Sequence, residues 1–313
     1  MGYVAPTWQN GGPPALNAKN MQDISDNLAY VSNNMVNPNL LDNWYFGNPV
    51  NQRGQTSYST TGDGSYTIDR WRFGGYAQTI EVTGNGITWN TNTGVWWMQT
   101  IENWDALVGK TATISALIGG NLYSVSGVVN NSDRISVAVS ETVNLEISPT
   151  ERGVRLVSYV TESTSVSALL AIKLELGSQQ TLAHQENGVW VLNEIPKFGD
   201  QLAECLRCLV DITPTQKFNV SYIGELSSNG AIICIPLPAS MRTTPTFVGN
   251  ASDIQIAAES VPGYYTPTSV SVIGSSSVSV AIRCDFVHDK SPGTLCDFRK
   301  TSDDAKFFLS AEL

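Results

Sequence analysis

Charge, histidine and long apolar runs are all scarce in this chain of 313 residues, and each scarcity removes a class of function. Only 15% of residues are charged, and 28 Asp and Glu outweigh 18 Lys and Arg to give a formal charge of −10. The basic residues are scattered singly, so there is no track for phosphates and nucleic acid is not an expected partner. Two histidines, His184 and His288, are too little material for a Ser-His-Asp constellation. There is no G-x-S-x-G elbow, H-E-x-x-H pair, phosphate-binding Gly-Lys loop or dinucleotide fingerprint. No stretch approaches the roughly 18 apolar residues of a membrane span. The N-terminal Met1 to Trp8 lacks the basic region and apolar core of a signal peptide. The expectation is a soluble chain made in a cytoplasm, without membrane insertion.

Cysteine is sparse and confined. Cys205, Cys208, Cys234, Cys284 and Cys296 are odd in number and lie in the C-terminal third, which excludes a disulfide framework across the chain. Cys205-Leu-Arg-Cys208 has no second C-x-x-C to complete a zinc site, so buried reduced thiols are expected. Oxygen ligands for a structural calcium are plentiful, but no loop of fixed ligand spacing points to one. No metal and no cofactor are expected.

What remains is rich in Thr, Ser, Asn, Gly and Val, the composition of turn-rich β-structure, in a length that suits about two domains. Residues 1–15 carry Pro6, Gly11-Gly12 and Pro13-Pro14 around one bulky anchor, Trp8, and read as an extended attachment arm. Asn17 can cap a helix in which Met21, Ile24, Leu28, Val31 and Met35 recur at spacings of three and four, an a/d seam. So narrow a stripe needs a surface to lie on or copies of itself, and Asn37-Pro38-Asn39 separates it from the next domain like a hinge, which favours an oligomerisation bundle.

From Asn39 onward short strand patterns alternate with turn signals and no helical period intervenes, which means a sandwich or barrel. Tyr66 to Phe73 reads as a strand, with Ile68 alternating against charged neighbours. Gly119-Gly120 reads as a two-residue hairpin turn. Leu170 to Gly177 places Leu170, Ile172, Leu174 and Leu176 on one face and Lys173 and Glu175 on the other, able to pair beside the opening strand. Gln179 to Lys197 reads as a linker, Asp200 as the cap of a helix carrying Leu202, Cys205, Leu206 and Leu209, and the remainder as a second β-rich domain.

The ordered motifs N-L-L-D-N-W-Y-F, V-N-Q-R-G, Y-T-I-D-R-W, Ile101 to Leu117 and A-I-K-L-E-L-G are similar to bacteriophage and prophage tail-fibre or receptor-binding proteins. Those carry a jelly-roll domain like that of carbohydrate-binding modules. The likeness spans roughly half the chain. The arm with its helix, the L-A-E-C-L-R helix, M-R-T-T-P-T and the final L-S-A-E-L also resemble phage fibre segments. The implied fold is mainly β: an N-terminal helix, a jelly-roll β-sandwich, then a short helix and a C-terminal β-sandwich head. Expected domains are an arm and oligomerisation helix (1–37), the jelly roll (38–185), and a linker, helix and head (186–313). The resemblance implies a homotrimeric virion protein made in the host bacterial cytoplasm. Its arm would attach to other phage virion proteins and its domains would contact a bacterial surface polysaccharide.

Trp71, Trp89, Trp96, Trp97 and Trp104 cluster amid Asn90, Asn92, Gln99 and Asn103. Sugars offer apolar C–H faces and outward hydroxyls, which flat aromatic faces and planar polar groups complement. Adjacent Trp96 and Trp97 on a strand must point to opposite faces, so one belongs to the core. Trp96, Trp104 and Asn103 are the surface candidates, and Tyr264-Tyr265 a second contact on a C-terminal loop. Asp69, Glu81, Glu102, Asp105 and Glu175 could supply a glycosidase pair, but carboxylates on strand faces are mostly solvated, and a non-enzymatic role is expected. Two alternatives stand beside receptor binding: a structural virion decoration such as a head fibre or baseplate component, and a carbohydrate-binding module working with a separate hydrolase.

Overall fold

The computed structural model describes residues 19, 21–27, 36–60, 62–91, 94–159, 163–217, 222–258 and 263–312. Two compact units emerge. Unit 1 comprises Met1–Gly47, Ser59–Gly62 and Gly74–Pro196, and unit 2 comprises Asn48–Tyr58, Asp63–Phe73 and Lys197–Leu313. The chain is mainly β with antiparallel sheets, as expected.

Helix α1 (residues 21–27) opens the described chain. Lys19 pairs with Asp23 at 3.0 Å and Gln22 bonds to Asp26 at 2.7 Å, both one turn apart. Met21 and Ile24 are both about half exposed on this helix. Trp8, Leu28, Val31 and Met35 lie outside the described residues.

The strands that follow are β1 (Ser57–Thr60), β2 (Arg72–Gly74), β3 (Gln78–Thr83), β4 (Gly86–Thr91) and β5 (Val95–Thr100), then helix α2 (Trp104–Leu107). After it come β6 (Thr111–Ile118), β7 (Asn121–Val128), β8 (Ile135–Ala138), β9 (Val143–Ser148), β10 (Gly153–Ser158), β11 (Thr164–Leu176), β12 (Ala183–Glu186) and β13 (Val189–Leu192). One sheet runs β1-β3-β4-β11-β6-β7 and a second β2-β5-β10-β9-β8, so the chain passes repeatedly from sheet to sheet, as in a jelly roll. The chain leaves one unit for the other within β1 and β2. Gly119 and Gly120, at φ 56° and 77°, make the β6–β7 hairpin turn, with Ile118 opposite Asn121.

The opening segment does lie along β11: Leu40 N–H donates to the Leu174 carbonyl (2.8 Å), Ile172 N–H to Trp44 (3.1 Å) and Phe46 N–H to Leu170 (2.8 Å). From there Phe46 meets Trp97 of β5 at 5.3 Å between ring centroids, bridging the two sheets of unit 1. Burying one such indole removes roughly 150–250 Å² from water, worth about 4–6 kcal/mol before entropy.

The polar face of β11 is not solvated, contrary to the alternation expected. Lys173 and Glu175 are both fully buried, whereas Leu176 is 46% exposed. Residues 181–194 explain it. Glu175 accepts from Thr181 N–H (2.6 Å) and hydroxyl (2.5 Å), and Lys173 Nζ reaches Glu194 at 3.0 Å. The segment read as a linker holds the β12–β13 hairpin, turned by Asn187 and Gly188 at φ 52° and 82°. Residues 186–196, placed by the sequence reading with the C-terminal domain, therefore group with unit 1.

Unit 2 contains β14 (Leu209–Asp211), β15 (Tyr222–Ser227), β16 (Gly230–Pro236), β17 (Thr246–Val248), β18 (Ile254–Ala258), β19 (Gly263–Tyr265), β20 (Ser269–Ser275), β21 (Ser279–Asp285), β22 (Leu295–Lys300) and β23 (Phe308–Ser310). They form a seven-stranded sheet, β19-β18-β22-β15-β16-β21-β20, and a three-stranded one, β14-β23-β17. Ile233, Ile256, Ile282 and Phe298 from the first share a core with Val210, Phe307 and Leu309 from the second. Helix α3 (Phe198–Leu206) precedes them; Asp200 sits in its first turn and Lys197 takes the cap position. Cys205, Cys208, Cys284 and Cys296 are buried and Cys234 is exposed, none of them in a disulfide.

Segments 48–58 and 63–73 complete unit 2. The strand expected over Tyr66–Phe73 is interrupted by a turn, with Arg70 at φ 73° and only Tyr66 bridging Arg72. That turn aims polar groups at the C-terminal strands. Gln52 donates to Asp69 (2.6 Å) and to the Leu209 carbonyl (2.7 Å), and Asp211 N–H donates back to Gln52 (3.1 Å). Glu312 pairs with Arg53 and accepts the Arg70 N–H at 3.1 Å.

Burial pushes the Asp69 and Glu312 carboxyls above the ordinary carboxylate range, with Gln52 and Arg53 respectively opposing it. A raised folded pKa contributes stability that is complete below the unfolded value and is lost as pH rises through the folded one. The unfolding midpoint of the native chain, relative to Glu312→Gln, is thus expected to rise as pH falls from neutrality toward the ordinary carboxylate range. A native midpoint that falls relative to that of Glu312→Gln on acidification contradicts this. For β11, Glu194→Ala strands a buried ammonium and is expected to cost more than about 1 kcal/mol, whereas Lys173→Met, which removes the charge, costs less. Chemical denaturation of both variants checks the order, and equal losses contradict it.

Candidate functional site

The five-stranded sheet of unit 1 has two unlike faces. Trp97, Val154, Leu156, Leu145 and Ile147 turn one face to the core. On the other, register aligns Ser136, Glu146, Arg155 and Met98 in one row, and Ala138, Asn144, Val157 and Trp96 in the next. Period-two alternation places Tyr159 on that same face beyond β10.

Arg155 organises it. Its side chain is 3% exposed, and its Nε donates to Glu146 at 2.9 Å while NH1 pairs with Glu151 at 2.9 Å. NH2 donates to the Tyr159 hydroxyl at 3.0 Å, and the guanidinium carbon lies 5.3 Å from the Trp96 ring centroid. A buried guanidinium needs such compensation, and its planar fork supplies both carboxylate pairing and a flat surface for an aromatic ring. Glu146 also accepts from Ser136 (3.3 Å) and from the Tyr159 hydroxyl (2.8 Å).

Tyr159 is consequently fixed at its hydroxyl. That oxygen donates to Glu146 and accepts from Arg155 and from Arg134 NH1, each guanidinium at 3.0 Å. Burial, then the hydrogen bond to Glu146, raises its pKa, so the hydroxyl stays protonated and keeps donating. Tyr159 is 51% exposed, with the Arg134 guanidinium over its ring.

Trp96 is half-buried and held from its other side. A Cβ on Gly74 would fall 2.0 Å from the Trp96 Nε1, so only glycine lets the indole lie across β2. Gln78 anchors that glycine, donating to the Gly74 carbonyl at 2.9 Å and accepting from the core Trp89 Nε1 at 2.8 Å. The exposed Tyr159, flanked by the part-buried Trp96 and by Arg155, offers a ring on which a sugar can stack.

The other sequence candidates fall elsewhere. Trp104 is a correction: it is 1% exposed, because it and Leu107 are the residues α2 buries, and its Nε1 donates to Asn131 at 3.1 Å. Asn103 is exposed at the N-cap of α2 without a side-chain cap bond. Tyr264 and Tyr265 lie on strand β19, at the edge of their sheet, instead of on a loop. Tyr264 is 59% exposed, with Arg299 5.9 Å from its ring, whereas Tyr265 stacks on Phe286 at 5.0 Å. Asp69 and Glu175 are buried and hydrogen-bonded, Asp105 pairs with Arg152 at 2.5 Å, and Glu81 and Glu102 are exposed. Among the described residues no group of His, Cys, Asp and Glu is disposed to hold a metal ion.

Sequence reading missed Arg155, Glu146, Glu151, Tyr159 and Arg134. The available signal was V-R-L-V-S-Y beside N-L-E-I-S, a lone arginine and a lone glutamate each in mid-strand, which burial obliges to pair. Gly74→Ala is expected to displace the Trp96 indole N–H resonance, assigned with Trp96→Phe, while the Trp104 resonance keeps its position. An unmoved Trp96 signal contradicts the packing described. No family model, no curated protein and no solved structure matches the chain.

Proposed function

We propose that the chain is a non-enzymatic phage virion fibre protein that contacts a host-surface glycan through the outer face of the five-stranded sheet. The observation that carries the binding part is the pairing of a part-buried Trp96 with an exposed Tyr159 about the immobilised Arg155. Rings fixed before a ligand arrives lose little freedom on binding, which favours affinity. Carboxylates of this face are engaged by Arg155, Tyr159 and Ser136, which suits recognition and not acid–base catalysis. The virion part rests on the motif resemblance. The half-exposed Met21 and Ile24 support a homotrimer assembled through the N-terminal helix, with the arm attached to other particle proteins. Three copies would multiply weak sites by effective concentration.

A structural decoration without glycan specificity is the second reading. It is favoured by the motif residues themselves, since Lys173, Glu175, Asp69 and Arg70 are all buried and spend their polar groups on the fold.

Binding of the full chain to an array of bacterial surface polysaccharides separates the two. Trp96→Ala and Tyr159→Ala also remove contacts of the buried Arg155; each variant, assayed well below its own thermal midpoint, is expected to bind about tenfold or more weakly, a stacking contribution of roughly 1.4 kcal/mol. Silence across the array, or affinity indifferent to both substitutions, contradicts glycan recognition at this face.

A further inference from the structure

We infer that the saccharide taken by the Trp96–Tyr159 face carries a carboxylate, a uronate-type acidic sugar, and that Arg134 reads it; this rests on the glycan-binding reading above. The two arginines of the face differ in their commitments. Arg155 is buried and divides its donors among Glu146, Glu151 and Tyr159. Arg134 is exposed, and among the described residues its contacts are with Tyr159 alone: NH1 donates to the hydroxyl at 3.0 Å, with the guanidinium carbon 5.9 Å from the ring centroid. No carboxylate of the described residues pairs with it. Its remaining N–H donors include the Nε and NH2 edge, which matches both oxygens of a carboxylate.

Position adds to this. Arg134 both bonds the hydroxyl and lies over the Tyr159 ring, so it borders a sugar that stacks on the open part of that ring and meets its substituents. The Tyr159 oxygen already gives one hydrogen bond and takes two, so it cannot serve those substituents. Arg134 is the donor left. The chain's net charge of −10 repels polyanions at long range, so preference for an acidic sugar has to arise at contact. A charge-assisted, bidentate bond supplies it, being about twice as strong as a neutral one.

The test uses the full chain with three probes: a glucuronate-containing oligosaccharide, the same oligosaccharide with its carboxyls reduced to alcohols, and a sulfated neutral glucan. The acidic form is expected to bind about tenfold more tightly than its reduced counterpart, one charge-assisted hydrogen bond's worth. Arg134→Gln is expected to bring the acidic form down to the level of the reduced one, and Arg134→Lys to restore part of the preference, since an ammonium keeps the charge without the fork. Equal binding of acidic and reduced forms, or a preference that survives Arg134→Gln, overturns the assignment while leaving glycan binding in place. Equal binding of the sulfated glucan overturns the carboxylate specificity. If none of the probes binds and the surface-polysaccharide array is silent too, the glycan reading itself has failed.

Discussion

A charge placed on a β-sheet face that is then covered must find its partner inside the protein, and this requirement determines much of what the two units look like. Lys173 and Glu175 sit in mid-strand of β11 with no water to solvate them, and they capture Glu194 and Thr181 from the following segment. Gln52, Arg53 and Asp69 do the same for unit 2, where the chain's penultimate residue, Glu312, closes the set. For β11 the partners come from the next few residues to about twenty onward, whereas in unit 2 polar groups from distant parts of the sequence are brought together, because leaving any one unpaired would cost several kcal/mol. Such contacts join segments more than a hundred residues apart, which is how unit 2 comes to include two pieces of the N-terminal half.

The same requirement at Arg155 has a different outcome. Its partners satisfy the guanidinium but leave two aromatic rings only partly covered, since Trp96 and Tyr159 touch it by a face and by a hydroxyl. Compensation of a buried charge thereby fixes the orientation of groups that remain open to a ligand. Arg134, with one bond to the same hydroxyl, is the cation of the group that keeps donors in reserve.

Much of the fold was legible from period and punctuation. The Gly119-Gly120 hairpin, the pairing of the opening segment with β11 and the helix around Cys205 all follow from local rules that the structure obeys. Burial of polar residues was not legible, because alternation tells which residues share a face and not whether another segment covers it. Asp69 and Glu175, among the carboxylates expected to be mostly solvated, and Lys173, on the face opposite the leucines, are buried because further segments cover them. The β12–β13 hairpin lies within the segment read as a linker, although Asn187-Gly188 is a strong hairpin-turn signal. At the site, strand parity separated Trp96 from Trp97 correctly in kind, with Trp97 in the core and Trp96 half-buried. Trp104, expected at the surface, lies on a one-turn helix that buries it, where strand parity gives no guide.

The most direct measurement is a crystal structure of the chain with an oligosaccharide fragment of the host's surface polysaccharide. A sugar ring stacked on Tyr159, with substituents within hydrogen-bond distance of Arg134, is the expected result. Sugar density confined to another place, such as the exposed Tyr264, with this face empty at saturating ligand, would contradict it.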